Sequence, residues 1–198
     1  MKRTRTSGYG IFLARHRRLL LFLGLLLAGT VGGVAAYRLS GQAVGVHLPV
    51  ASAGAMLAEW LQSCTALWLL LALLFLSGLA MWGFPVALAV PVFFGLGVGL
   101  AQAGLVSLGG NGLAYAALAV LPGRLLAAVA LLPACAESMR FSLQLGRQTL
   151  FRDARGGGLQ REFRLYCLRF IIFVGMAAAA GAADVLLRIC FAGLLGTK

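Results

Sequence analysis

Arg124 stands out among the residues that could do chemistry, because it interrupts the apolar run 113–136. Pro122 and Gly123 precede it directly, and Pro133 follows nine positions later, in the stretch "VLPGRLLAAVALLP". A charge near the centre of a membrane helix costs at least about 2.5–3.5 kcal/mol. Proline lacks a backbone donor and clashes with the preceding turn, so we expect a kink or a short unwound section at Pro122.

Arg124 is open to two interpretations. Its guanidinium has five donors, which could bind main-chain carbonyls that the proline leaves free and so act as a structural clamp. Alternatively it forms a polar site for a substrate or ion within a helix bundle. None of the first four apolar runs contains an acidic residue, which disfavours a proton relay. We favour the clamp for Arg124, and we assign Pro91, Pro122, Gly123 and Pro133 as the helix breaks whose free carbonyls need such donors.

Other reactive side chains are sparse and scattered. The histidines are His16 and His47, one in a basic tail and one in a polar loop, and the 5 acidic residues form no close pair. The 4 cysteines form no CxxC motif, and no HExxH, GxSxG or phosphate-loop motif occurs. The sequence therefore predicts no catalytic site, no metal site and no cofactor.

The composition is that of an integral membrane protein. Hydrophobic residues make up 61% of the chain and charged residues 11%, against about 45–50% and about 25% in soluble domains. The net charge of +12 comes from basic residues that lie beside apolar runs, a pattern typical of anionic lipid surfaces rather than of nucleic-acid binding. We predict an all-α, polytopic helical bundle with a single membrane domain over residues 1–198.

Five apolar runs are candidates to cross the membrane, since about 20 residues of helix span a hydrocarbon core of about 30 Å. The first run could instead be a signal peptide, but it exceeds the usual apolar length of about 7–15 residues, which favours a retained helix. Asp184 and Arg188 in the last run are four apart and can pair on one helix face. The predicted spans are 19–37, 65–82, 84–105, 113–136 and 167–187.

Two basic blocks, 1–18 and 137–164, predict the topology. Basic segments stay on the cytoplasmic side, so an even number of crossings separates the blocks and the amino terminus is cytoplasmic. The loop 38–64 then lies outside. A re-entrant hairpin at 113–136 would move the second block outside, so this run is predicted to cross. The arginines expected to face anionic lipid are Arg15, Arg17, Arg18, Arg147, Arg152 and Arg155.

A ladder of small residues in the third run predicts close helix contacts. Gly95 and Gly99 are four apart, as are Gly97 and Ala101, and such small-xxx-small patterns allow two helix backbones to approach. Packing within the chain is the favoured use, and binding of another protein is the alternative.

An ordered series of short motifs resembles a known family. "FLSG" (75–78), "GFP" (83–85) and "FFGLGVGLAQAG" (93–104) are followed by "LP" at 121–122 and 132–133 and by "RFSL" (140–143). Over residues 70–190 the series is similar to stage II sporulation protein M of endospore-forming bacteria. Two positions depart from the family pattern: Phe94 stands where a basic residue is frequent, and Arg124 where an asparagine is frequent.

The resemblance implies a non-enzymatic scaffold in the septal cell membrane of the mother cell. Such a protein assembles with stage II sporulation proteins D and P, which degrade peptidoglycan during engulfment of the forespore. Because hydrolases act outside the membrane, we predict that they dock on helix faces and on the loop 38–64, with Trp60 and Leu61 as contacts. The stretch around these two residues is either a short amphipathic helix or a turn leading into the next span.

Two other functions remain open. Broken helices at Pro91 and Pro122 beside a buried arginine are also typical of a small transporter or permease subunit, whose sites lie near the bilayer midplane. The arginine-rich segment 137–164 could instead sense anionic lipid.

Overall fold

A computed structural model describes residues 8–40, 53–80, 83–107, 109–151 and 159–191. Over these residues, 5 helical spans are long and apolar enough to cross a membrane, which confirms the predicted all-helical, multi-pass architecture. The α-helices are α1 (Gly8–Ser40), α2 (Ala53–Leu79), α3 (Phe84–Val106), α4 (Gly110–Tyr115), α5 (Leu121–Phe151) and α6 (Leu159–Phe191), and a π-helical turn (Ala116–Val120) joins α4 to α5.

The spans run alternately up and down. Tyr37 near the end of α1 hydrogen-bonds Ser107 at the end of α3 (2.9 Å between hydroxyl oxygens), so these two helices are parallel. The contact of Glu137 on α5 with Arg169 on α6, 2.6 Å apart, places the early part of α6 beside the later part of α5. We call the two ends of the bundle the Glu137 end and the Ser107 end.

The helix boundaries differ from the predicted ones at the polar margins. The second helix begins at Ala53, so Trp60 and Leu61 lie within α2 rather than in the predicted loop 38–64. Much of the predicted polar segment 137–164 is also helical, because α5 continues to Phe151 and α6 begins at Leu159. A helix that leaves the hydrocarbon core keeps its internal hydrogen bonds, so polar residues at its margin do not end it.

The arginines predicted to face lipid headgroups are only partly described. Arg17 is exposed on α1. Arg15 and Arg18 lie on the same helix, and Arg147 lies on α5. Arg152 and Arg155 lie outside the described residues.

Glycines on both helices let α1 and α3 pack backbone to backbone. A Cβ atom at Gly29 or Gly33 of α1 would overlap a main-chain carbonyl oxygen of α3. A Cβ atom at Gly95 or Gly99 of α3 would overlap one of α1. We call this contact the α1–α3 seam. It supports the predicted packing role for two members of the glycine ladder.

The other two members of the ladder do not face α1 in this way. Gly97 has open space where a side chain would begin, and it is exposed on the opposite side of α3. Ala101 is half-buried. Since the spacing of two residues turns Gly97 by about 200° from Gly95 on a helix of about 3.6 residues per turn, one ladder serves two faces.

Tyr166 of α6 organises the bundle near the Glu137 end. Its ring stacks on Phe141 and on Phe75, with ring centroids 4.5 Å and 5.3 Å apart. Its hydroxyl donates to the Phe75 carbonyl oxygen at 3.0 Å. A side chain at Gly78 would overlap this hydroxyl, so the glycine makes room for it. The segments "FLSG" and "RFSL", which are distant in sequence, therefore meet on one tyrosine.

Two serines complete this contact. The Ser138 hydroxyl donates to the Leu74 carbonyl oxygen at 2.8 Å, and the Ser142 hydroxyl donates to the Ala80 carbonyl oxygen at 2.8 Å. Ala80 lies just past the end of α2, where helix carbonyls lack intrahelical partners. Buried hydroxyls of α5 thus satisfy main-chain groups where α2 ends.

We expect Tyr166→Phe to destabilise the protein by about 1 kcal/mol, because it removes one buried hydrogen bond and keeps the ring stack. Tyr37→Phe is the matched control, since that hydroxyl bonds Ser107 at an exposed position. Unfolding in mixed detergent micelles measures both. An equal loss of stability in the two variants would contradict a stabilising role for the buried hydrogen bond of Tyr166.

A buried charge cluster and the groove beside it

Arg124 lies on the first turn of α5, directly after the π-helical turn. The Leu121 amide donates to the Ala116 carbonyl oxygen, five residues back, which widens the helix just before Pro122. A π-helical turn changes which carbonyls need a donor, and such turns occur often at functional sites. The predicted disturbance at Pro122 is therefore a widened helical turn, and the chain does not unwind there. Pro91 and Pro133 lie inside α3 and α5, which also continue past them.

Asp184 of α6 is the acidic group nearest to this turn of α5 among the described residues. Its side chain is buried, and its Oδ2 atom accepts from Arg188 Nη2 at 2.7 Å and from Ser63 Oγ at 3.4 Å. The predicted pairing of Asp184 with Arg188 is thus confirmed. Gly123 permits the arrangement, because a side chain there would overlap the Asp184 carboxylate.

Arg124 lines the same small void as Ser63 and Asp184. Its Nε atom is buried and has no hydrogen-bond partner among the described residues, and the same is true of Asp184 Oδ1 and Arg188 Nε. The clamp interpretation requires bonds from this guanidinium to main-chain carbonyls, and the described residues provide none. The surroundings of Arg124 are instead electrostatic: one carboxylate and one further guanidinium face it across the α5–α6 contact. We call Arg124, Asp184, Arg188 and Ser63 the charge cluster.

The cluster carries an excess of positive charge over its described members, since two guanidinium groups share one carboxylate. Ions removed from water are costly unless paired and hydrogen-bonded. A buried site of this composition favours an additional anionic group.

A lateral groove opens beside the charge cluster. It has a volume of about 270 Å³ and runs between α2 and α3, with Arg124 of α5 at its back wall. Phe93 on its rim is 69% exposed, so the groove faces the hydrocarbon of a surrounding bilayer. Its lining is otherwise apolar: Ala66, Leu67, Leu70, Phe93, Phe94, Gly97 and Val98. We call it the α2–α3 groove.

Arg124 lies near the middle of the apolar part of its helical segment, which continues past Glu137 to Phe151. It follows Gly110 by 14 positions and precedes Glu137, the first acidic residue of α5, by 13, and at about 1.5 Å per residue each stretch is about 20 Å long. With a hydrocarbon core of about 30 Å, the backbone of Arg124 lies near the middle of the membrane. This depth makes its charge more costly than that of an arginine near a helix end.

Trp60 and Leu61, predicted as partner contacts, have different surroundings. Trp60 is half-buried: its indole nitrogen donates to the Ala178 carbonyl oxygen at 3.3 Å, and its ring meets Trp68 edge to face. It therefore fastens α2 to α6. Leu61 is 43% exposed and remains free to contact another molecule.

A second set of charges lies at the Glu137 end. Glu137 accepts from Arg169 at 2.6 Å, and Arg140 lies 3.9 Å from Glu137 and 4.0 Å from Glu162. These side chains are between one-quarter and one-half exposed. Partly exposed ion pairs contribute about 0–1 kcal/mol each to stability, so this set lies at the margin of the bundle and is not a second buried site.

Sequence reasoning identified Arg124 and the pair of Asp184 with Arg188, but not that Asp184, 60 positions later in another span, lies beside Arg124. Two glycines carried the missing signal. Gly123 adjoins Arg124, and Gly181 precedes Asp184 by three positions; a side chain at Gly181 would overlap Cys64 of α2. Together they mark where α2, α5 and α6 approach closely enough to bury polar groups. Over the described residues, no group of three or more His, Cys, Asp or Glu side chains could hold a metal ion.

Comparison of the chain with models of protein families, with curated proteins and with solved structures finds no match.

Proposed function

We propose that this protein is a membrane scaffold, similar to stage II sporulation protein M, that gathers peptidoglycan-degrading proteins at the septal cell membrane of the mother cell. In this role it binds stage II sporulation proteins D and P and performs no chemistry itself. Its multi-pass membrane architecture is compatible with that role. Engulfment of the forespore would then depend on the surfaces it presents to the hydrolases.

The observation that carries this proposal is the meeting of the motif segments on Tyr166. The family resemblance rests on short motifs, each weak alone. "FLSG" contributes Phe75 and Gly78, and "RFSL" contributes Phe141, all against the same ring. Motifs that pack together constrain one another, so their ordered occurrence supports the resemblance more than their separate occurrence would.

The distribution of basic residues supports a cytoplasmic amino terminus. Arginines cluster at the Glu137 end, whereas Arg38 and Arg188 lie toward the Ser107 end. By the positive-inside rule the Glu137 end faces the cytoplasm and the Ser107 end faces outward. The outward end then includes the beginning of α2, where exposed Leu57 and Leu61 could meet an extracytoplasmic hydrolase. The arginines of described helices at the Glu137 end include Arg17, Arg140, Arg161, Arg164 and Arg169, together with Arg15, Arg18 and Arg147.

Site-specific photocrosslinking tests the scaffold. With the protein co-expressed with stage II sporulation proteins D and P, a photoreactive residue at Leu57 or Leu61 is expected to capture at least one of the two. Leu143 and Phe163 are matched control positions, since they are similarly exposed (40% and 42%) but lie toward the other end. Capture from the control positions and not from Leu57 or Leu61 would overturn both the docking site and the assigned orientation.

A second candidate function is a small transporter or permease subunit. It is favoured by the depth of Arg124 and by the cavity that this residue lines, since transporters bind substrates near the midplane at irregular helices. Uptake of a panel of organic and inorganic anions into proteoliposomes distinguishes the two functions. A transporter loses uptake in Arg124→Gln, whereas a scaffold shows no uptake with either protein and retains crosslinking at Leu61.

A further inference from the structure

We propose that the α2–α3 groove binds a transmembrane helix of a partner protein, and that this helix carries one aspartate or glutamate near its midpoint, which pairs with Arg124. The inference rests on the proposed scaffold function, because it specifies how a partner is recognised within the membrane. The partner is defined by chemistry: a single apolar span with one carboxylate at mid-depth.

The charge cluster has more positive than negative charge among its described members. Arg188 pairs with the carboxylate of Asp184, whose Oδ2 atom also accepts from Ser63. Arg124 lines the same void as Asp184 without an ion pair among the described residues. Arg124 Nε is buried without a described partner. A second carboxylate beside Arg124 would balance the cluster. Residues of this kind within membrane spans usually pair with one another.

The shape of the groove suits a second helix. Each rim has a small exposed residue, Ala66 on α2 and Gly97 on α3, and the α3 rim also carries the exposed ring of Phe93. A Cβ atom at Gly97 would meet nothing within 4 Å, so this face of α3 is open. Small residues let a second helix approach closely, and close packing drives helix association in membranes. The glycine ladder of α3 then serves α1 on one side and a partner on the other.

The depth of Arg124 in the membrane favours a carboxylate on a transmembrane helix over a lipid phosphate or a soluble anion. The phosphate of a lipid lies at the edge of the hydrocarbon core, about 15 Å from the midplane. Arg124 begins near the midplane, so a lipid headgroup would have to sink by most of that distance. The groove is lined by residues from the middle of α2 and α3, of which Ala66, Phe93 and Gly97 are exposed, so a soluble anion would have to pass through hydrocarbon. A carboxylate carried on a membrane-spanning helix arrives at the required depth.

The test must distinguish a carboxylate on a partner helix from the carboxylate of Glu59 in this chain. Glu59 precedes Ser63 by one helical turn on α2, which makes it the nearest acidic residue in the sequence of that helix. If Glu59 supplied the second carboxylate, the wild-type protein would show no preference for an acidic helix, and Glu59→Gln would create one.

The test uses the full chain in zwitterionic vesicles and synthetic helices as probes. The probes are apolar spans of about 20 residues with glutamate at the midpoint, glutamine at the midpoint, or glutamate two turns nearer one end. Binding is followed by energy transfer from a dye on Cys190, an exposed thiol, with Cys167 replaced by serine. We expect the midpoint-glutamate helix to bind about tenfold more tightly than the glutamine helix, a difference of about 1.4 kcal/mol. The displaced glutamate should lose most of that gain.

Two variants locate the site. Arg124→Gln should remove the preference for glutamate over glutamine. Gly97→Leu should weaken binding of every probe by filling the groove from its open side while leaving the arginine in place. Gly175→Leu is the control, because Gly175 of α6 is also exposed with open space around it but lies outside the groove. If the arginine variant does not fold, the decisive comparison is probe binding by Gly97→Leu with probe binding by Gly175→Leu.

Four results with the helix probes would overturn the proposal. They are equal binding of the glutamate and glutamine helices, a preference that survives Arg124→Gln, a preference that appears only in Glu59→Gln, and a groove that Gly97→Leu does not block. Anionic lipid that alone changes the dye signal in an Arg124-dependent way would assign the groove to lipid. These results are independent of the hydrolase crosslinking: a helix with a carboxylate can bind although sporulation proteins D and P do not, and the reverse also holds.

Discussion

Replacing Gly33 with leucine is expected to destabilise the bundle by about 3 kcal/mol or more, whereas the same change at its neighbour Gly32 should have little effect. Overpacking typically costs about 1–3 kcal/mol when side chains can shift. At Gly33 the added Cβ would meet the Leu96 carbonyl group and the Leu100 nitrogen, which are main-chain atoms of α3. The helices must separate to admit it, so the cost lies at the upper end of this range or beyond.

The comparison with Gly32 isolates packing from other effects. Gly32 is exposed, and a Cβ atom added there would have no neighbour within 4 Å, so leucine at this position faces lipid. Both changes replace glycine by leucine in the same turn of α1 and gain the same helix propensity. Denaturation of the purified protein in mixed micelles, followed by helix content and tryptophan fluorescence, measures the difference. Equal stability of the two variants would contradict the α1–α3 seam.

The seam also shows what the sequence could predict. Gly95 and Gly99 were identified by their spacing of four, which is the repeat that places residues on one helix face. Their partner helix was not identified, although Gly29 and Gly33 in the first run have the same spacing. Spacing along one helix reports a face that permits close approach, but the face it meets depends on how the spans are arranged. That arrangement is a property of the whole bundle.

The charge cluster was predictable in part for a similar reason. Arg124 and the pair of Asp184 with Arg188 were each visible in the sequence, the pair because its members are four apart on one helix. Their meeting was not visible, since it depends on the antiparallel contact of α5 with α6. The need to satisfy carbonyls near Pro122 favoured a clamp, but the π-helical turn accommodates the proline within the helix. The arginine then faces the carboxylate across Gly123.

Replacing Asp184 with asparagine is expected to destabilise the protein by about 3–5 kcal/mol, the usual cost of breaking a buried ion pair by removing one partner. Asparagine keeps the size of the side chain and can still accept from Ser63. It leaves Arg124 and Arg188 facing each other without a compensating carboxylate among the described residues. Glu137→Gln is the control, since it makes the same change in charge at the partly exposed pair with Arg169, where about 0–1 kcal/mol is at stake.

A second substitution separates loss of charge balance from loss of shape. If unpaired positive charge causes the defect, Asp184→Asn combined with Arg188→Gln should be more stable than Asp184→Asn alone, although it lacks one more native side chain. Arg124→Gln in place of Arg188→Gln should rescue as well, because either change removes one of two like charges. Denaturation in mixed micelles measures all four proteins. Additive losses in the double variants would mean that the carboxylate stabilises the protein through its hydrogen bonds. The excess positive charge, on which the proposed partner recognition at Arg124 depends, would then have no effect on stability.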